Sequence, residues 1–325
     1  MSKFYLSFDR MIDMLFFRCL NERTVSIQRF RDKGESFMSI AIVTDSTAYL
    51  TDEFVRKHDI TVLPLTITFS DGSYLDNIDI STDAFYDKMA TLDEIPTSSQ
   101  PAPGIVKEAF ERLAKTHDEI IAITLSKGIS GTYQTFTMIG NQVAEDTGVR
   151  VKVYNSGISL VGQAFYVYEA VRLRDLGYTA MDILPKLDAL KCTTDAYFSV
   201  DNLGHLAKGG RINPGAASIG NLLQVKPILH FDDGLINVFE KVRTHKKTVR
   251  RITELFEESY QKNPQLRVAI VGDDATPQVQ SLVAYFKTAH PDLLLERTPV
   301  GPVIGTHLGP NAYALAWCED TTKSI

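Results

Sequence analysis

Apolar positions along this chain follow two alternating periods. Residues 39–45 (SIAIVTD), 119–125 (EIIAITL) and 149–154 are short, nearly continuous apolar runs, the pattern of strands covered on both faces in a parallel sheet. Residues 51–57, 81–90, 104–116 and 132–145 instead carry apolar side chains at helical spacing, with Thr51 and Ser81 placed as N-caps. Residues 61–69 are β-branched and predict one strand, and Asp71-Gly72 predicts a hairpin turn into a second strand over 74–80. The Pro/Ser/Thr-rich residues 92–104 predict a loop. Strands alternating with helices predict a doubly wound, parallel α/β sheet through about residue 160.

The pattern then changes. Residues 162–177 and 180–191 predict consecutive helices, followed by short strands at 196–200, 226–231, 235–242, 268–272 and 293–299. Helices at 247–262 and 276–290 separate some of these, and Asp233-Gly234 predicts a hairpin. The expected organisation is an α/β domain over 38–160 and an α+β domain of mixed or antiparallel strands over 161–325. No flexible linker lies between them, so the two should pack closely. Residues 1–37 differ from the rest. Their apolar stretch 11–20 is interrupted by Asp13 and Arg18 and is too short to cross a bilayer, though it suits an amphipathic surface helix. We expect 1–37 to be an extension outside the native fold, with translation starting at Met38.

Composition narrows the function. A hydrophobic share of 44% and a charged share of 23% suit a globular core. Lys and Arg number 34 against 40 Asp and Glu, a net charge of −6, which leaves no cationic surplus for nucleic-acid phosphates. The three cysteines (Cys19, Cys192, Cys318) and seven histidines show no metal-ligand spacing. Neither a metal nor a disulfide is expected, and free thiols indicate a reducing, cytoplasmic compartment. No stable membrane insertion is expected.

Candidate chemistry collects in loops. Pro96-Thr97-Ser98-Ser99-Gln100-Pro101 sets three hydroxyls and an amide between two prolines, as either a cap for the next helix or a preorganised donor cluster for an anion. Residues 125–132 (LSKGISGT) join a strand to a helix at the carboxyl end of the sheet. Open α/β sheets bind ligands there, although an ordinary βα turn has the same composition. The run Gly128-Ile129-Ser130-Gly131-Thr132 departs from the GxSxG elbow at Thr132, which leaves a Ser130–His307 serine hydrolase as an alternative. Neither a Walker A nor a GxGxxG motif is present, so no cofactor is expected. Asp45 is either a turn cap or a contact for Mg²⁺ or phosphate. Lys208-Gly209-Gly210-Arg211 predicts a basic tight turn, Glu240–Thr244 a charged strand end, and residues 301–310 a constrained loop around His307.

Taken in order, IVTDSTAYL, PTSSQP, ISGTYQ, LAKGGRI, VKPIL, EKVRT and IGTHLGP resemble the DegV family from about residue 40 to 316. The resemblance implies a Rossmann-like N-terminal domain and a C-terminal α/β domain with a long-chain fatty acid between them. It also implies a role as the acyl-binding subunit of a fatty acid kinase, in which a separate ATP-dependent subunit phosphorylates the bound carboxylate. Carried onto this sequence, the carboxylate contacts fall on Ser98, Ser99, Ser130 and Thr132, with Arg243 and His307 near the head group. Ser98 stands where the family often has Thr, which keeps the hydroxyl. Asn155-Ser156 replaces an Asp-Ser pair and removes a charge. A lipid-responsive regulatory module, binding the same ligand without supporting phosphorylation, is a further alternative.

Overall fold

The computed structural model describes residues 38–213 and 225–323. The expected extension 1–37, with its 11–20 stretch and Cys19, lies outside the described residues. The first half forms β1 (Ile40–Asp45), α1 (Asp52–Lys57), β2 (Thr61–Leu63), β3 (Thr66–Phe69), β4 (Gly72–Leu75), α2 (Thr82–Leu92), β5 (Thr97–Ser99), α3 (Pro103–Ala114), β6 (Glu119–Thr124), α4 (Thr132–Thr147) and β7 (Arg150–Asn155). The second half forms α5 (Val161–Asp175), α6 (Ala180–Lys191), β8 (Asp195–Ser199), α7 (Gly204–Gly209), β9 (Lys226–Asp232), β10 (Leu235–Val242), α8 (His245–Lys262), β11 (Leu266–Val271), α9 (Pro277–Ala289), β12 (Leu295–Thr298), α10 (Pro302–Leu308) and β13 (Tyr313–Glu319).

Three sheets result. β2-β1-β6-β7 is parallel throughout, and β1 and β6, buried at every position, are its centre. The second large sheet runs β10-β9-β8-β13-β11-β12 and is antiparallel except for the β11–β12 pair. The fold is therefore the α/β arrangement that the periodicity predicts, with a mixed second sheet. A small antiparallel sheet, β4-β3-β5, hangs beside the first.

The structure corrects the sequence prediction in five places. The single strand expected over 61–69 is two strands in two different sheets. Pro64 separates them, since it has no N–H to continue the ladder. The strand expected over 74–80 stops at Leu75, whose carbonyl accepts from Ile78 and Asp79 while its N–H donates to the Asp79 carboxylate at 2.8 Å. The expected loop 92–104 contains β5, a hydroxyl-rich edge strand whose Ser98 pairs with Ile67. The expected loop 301–310 contains α10, which starts with Pro302 in its first turn and ends before Gly309 at φ 74°. Finally, β13 is a central strand that the pattern hides. Its residues alternate large and small rather than apolar and polar. Tyr313, Leu315 and Trp317 join the core under α8 and α9, and Ala314 and Ala316 join the core of the opposite face.

Helix α5 lies between the two large sheets and packs on β1, β6 and β13. Twelve of its residues are buried, so no polar face is left. Its first turn closes a buried polar knot where β1 and β6 end, the switch point of the parallel sheet. There Asp45, fully buried, accepts from Leu125 N at 2.8 Å and Thr47 N at 3.0 Å. Burial raises its pKa, while these donors and Thr47 Oγ1 hold it down. Gln163 of α5 donates to Thr44 Oγ1 at 3.1 Å and lies 2.9 Å from Thr47 Oγ1. Asp45 is thus a turn cap, not an open Mg²⁺ or phosphate contact. Asp45→Ala would strand two buried N–H groups, each worth roughly 1–3 kcal/mol. We expect a stability loss of about 3 kcal/mol, measured as a lower urea midpoint at an unchanged m-value.

Candidate functional site

Between the sheets lies a cavity of about 280 Å³. Its floor is built from the small or apolar residues of the mixed sheet, including Ala196, Phe198, Ala314 and Ala316, and Val303 and Ile304 of α10 close another side. The alternation of β13 makes the floor possible: the large residues face α8 and α9, so alanine methyls face the cavity and leave it unfilled. The cavity's polar lining comes mainly from β5, the turn before α4, the end of α7 and α10.

The polar lining forms a contiguous ring. Ser98 Oγ lies 2.7 Å from His307 Nε2. On the other side of that imidazole, a Cβ added at Gly209 would lie 2.6 Å from Nδ1, so only glycine permits this approach. Gly210, at φ 66°, then ends α7 in the left-handed region and turns the chain into Arg211. Arg211 donates from Nε to Ile129 O at 3.4 Å, next to Ser130. Gly131 lies against the Gln100 amide, and Gln100 Nε2 donates to Thr135 Oγ1 at 2.5 Å, which ties β5 to α4. Ser98, Ser99, Gln100, Ser130, Arg211 and His307 all line the cavity.

Electrostatics favour an anion here. Arg211 has no carboxylate partner among the described residues, and desolvation lowers its pKa. His307 is pushed down to about 4, first by desolvation and then by the charges of Arg211 and His205, so its ring is neutral at neutral pH. The site therefore offers one guanidinium, a neutral imidazole and several hydroxyls, with no carboxylate among these cavity-lining side chains. Among the described residues no group of His, Cys, Asp and Glu side chains could hold a metal ion, and no helix is long and apolar enough to cross a membrane.

Two residues expected at the head group lie elsewhere. Thr132, fully buried at the start of α4, does not line the cavity. Its Oγ1 lies 2.9 Å from Ser130 Oγ and its N–H donates to that oxygen, so it orients Ser130. Arg243 follows the last residue of β10, the outer strand of the mixed sheet, and is exposed outside the cavity. The cation that does reach the cavity is Arg211. The sequence signal for it was the preceding glycine pair, which looked like a bend and in fact clears space for His307.

The chain matches the family model described as "Uncharacterised protein, DegV family" over residues 39–320. It is 38% identical to Protein DegV of Bacillus subtilis over 282 residues, 86% of this chain and 99% of that one. The crystal structure of DegV, a fatty acid binding protein from Bacillus subtilis, superposes with a TM-score of 0.80 at 38% identity, covering 87% of this chain and 100% of that one. A fatty acid binding DegV family protein from Streptococcus agalactiae superposes with a TM-score of 0.80 at 30% identity, covering 87% of this chain and 99% of that one. With the matching region spanning both large sheets and every residue of the polar ring, this chain belongs to the DegV family.

Proposed function

We propose that this chain binds one long-chain fatty acid between its two domains, 38–160 and 161–325, and presents the carboxylate to a separate ATP-dependent kinase subunit in the cytoplasm. The observation that carries this reading is an apolar cavity whose polar groups form one ring with a guanidinium that has no carboxylate partner among the described residues. Each methylene moved out of water contributes roughly 0.8 kcal/mol, so the tail supplies most of the affinity. The carboxylate must then find hydrogen bonds, since an unpaired buried charge is strongly disfavoured. Ser98, Ser99 and Ser130 are the donors, Thr132 fixes Ser130, and Arg211 supplies the positive charge. Hydroxyl donors leave a carboxylate oxygen free to accept a phosphoryl group. Arg243, exposed outside the cavity, and His307 at the ring serve that transfer.

The serine hydrolase alternative has less support. His307 is hydrogen-bonded to Ser98 rather than to Ser130, and Ser130 is engaged by Thr132. The regulatory module differs from the carrier only in failing to support phosphorylation, so a kinase assay separates them.

Mass spectrometry of the purified protein should find a long-chain fatty acid. A protein that is empty and fails to bind added palmitate would defeat the proposal. Arg211→Ala should weaken palmitate binding at least tenfold, measured by calorimetry. Arg243→Ala should leave affinity within twofold and abolish acyl phosphate formation with a kinase subunit. His307 has a folded pKa of about 4 against 6.5 in the unfolded chain, so the unfolded chain takes up a proton that the folded one refuses. Stability from this group is present above pH 6.5 and falls as pH drops toward 4. In paired melts, His307→Gln should lose less stability than the wild type over that interval.

A further inference from the structure

We infer that Leu160 is a specificity-determining residue for the hydrocarbon tail: its side chain, fixed in direction by a strained backbone, limits the length of acyl chain that the cavity accepts. This rests on the fatty-acid reading above and adds which residue selects among such ligands.

Leu160 immediately precedes α5 and is buried. Its φ of 56° and ψ of −143° fall outside the ordinary left-handed well, in a region that glycine fills freely and a side chain disfavours. Seven non-glycine residues have positive φ among the described residues, and five of them are Asp or Asn, which tolerate it best. Tyr49 occupies the left-handed well itself, at φ 46° and ψ 48°. Leu160 alone of the seven lines the cavity. Glycines stand close by in the chain, yet each answers a constraint of its own. Gly157 has a φ of 73°, and a Cβ added at Gly162 would lie 2.6 Å from Ile158 Cδ1. The turn into α5 gains nothing from leucine at 160, so the reason for that side chain lies in the cavity it lines.

The strain is held from both sides. The Leu160 N–H donates to Thr47 O at 3.0 Å, and its carbonyl accepts from Gln163 N at 3.0 Å and Ala164 N at 3.1 Å. Two residues earlier, Ile158 O accepts from Ser126 N at 2.8 Å and from Ser156 Oγ at 2.9 Å. Thr47 and Gln163 belong to the buried knot around Asp45. The backbone around Leu160 is thus tied to the turns that follow β1 and β6. Its side chain cannot swing aside without breaking these bonds.

That rigidity matters because of where Leu160 stands. Much of the cavity floor is alanine methyl, so the room for a tail depends on what projects from the α5 side. The lining residues there are Ser159, Leu160, Val161 and Gly162, and Leu160 is the largest of the four. The hydroxyls, imidazole and guanidinium of the polar ring come from β5, the turn before α4, the end of α7 and α10. An apolar side chain at the start of α5 therefore meets hydrocarbon rather than the head group. A wall residue free to move would repack around a longer tail, whereas a fixed one refuses it.

The test measures competition binding of myristate, palmitate, stearate and arachidate to the full-length protein. Each methylene newly taken from water adds about fourfold in affinity. Leu160→Ala and Leu160→Gly should therefore raise the arachidate-to-palmitate affinity ratio at least fivefold over wild type. Leu187→Ala, which shortens a buried leucine of α6 outside the cavity, should leave the ratio within twofold. An unmoved ratio in the Leu160 variants, or an equal rise in Leu187→Ala, overturns the inference. If neither small variant folds, Leu160→Phe carries the test: it should lower the ratio at least threefold, and an unmoved ratio overturns the inference. The strain has its own readout, which needs no ligand. Leu160→Gly should have a higher urea midpoint than Leu160→Ala, the reverse of the usual order, because only glycine is at ease in this conformation. The usual order would show that nothing fixes the side chain, and overturns the inference as well. If wild type binds none of the four acids, the fatty-acid reading fails and tail selection with it. Wild-type binding with an unmoved ratio in the variants defeats tail selection by Leu160 alone.

Discussion

Helix α5 can be covered only if both large sheets close on it. Its sequence leaves no polar face, so solvent cannot replace either sheet. The parallel sheet takes one side and β13 of the mixed sheet another. Closing two sheets on one helix brings the face of the mixed sheet against the carboxyl-end loops of the parallel one, and the cavity forms beside the helix's first turn. Leu160, at φ 56° just before that turn, is held in a backbone region that side chains disfavour. It lines the cavity, so the local strain sits at the site rather than in the distant core.

The same closure explains why polar groups at the junction are either fully engaged or poised. At the switch point, Asp45, Thr44, Thr47 and Gln163 satisfy one another and leave no room for a ligand. The usual crevice of an open α/β sheet is thus filled by the chain itself, and binding moves outward to the ring around Ser98 and Ser130. That ring contains a guanidinium without an acidic partner among the described residues and an imidazole that burial keeps neutral. Both are unfavourable in an empty site and favourable beside a carboxylate. Asp76, buried just after β4, has its pKa raised to about 7 by desolvation, so it and His307 respond to acid with opposite signs and their contributions to stability partly cancel between pH 4 and 7.

Glycine does unusual work in this site. Gly209, Gly301 and Gly305 each mark a place where backbone meets a ring with no space for a Cβ. In the sequence they looked like turns, because turn and close approach leave the same mark. Only the identity of what lies opposite separates the two, and those partners are far away in the chain.

The sequence by itself determined the parallel sheet, the order of most helices and strands, the capping residues, and the hydroxyl-rich segments at Ser98 and Ser130. These follow from local periods and from short-range hydrogen bonding, which neighbouring residues specify. Tertiary structure alone decided that Arg211 rather than Arg243 reaches the cavity, that Thr132 acts through Ser130, and that His307 rides on a helix. It also decided that β13 is a central strand whose alanines leave the cavity open. Apart from Thr132, which lies two residues from Ser130, each of these depends on which face of an element meets a partner more than 80 residues away, and side-chain period alone carries no information about that partner.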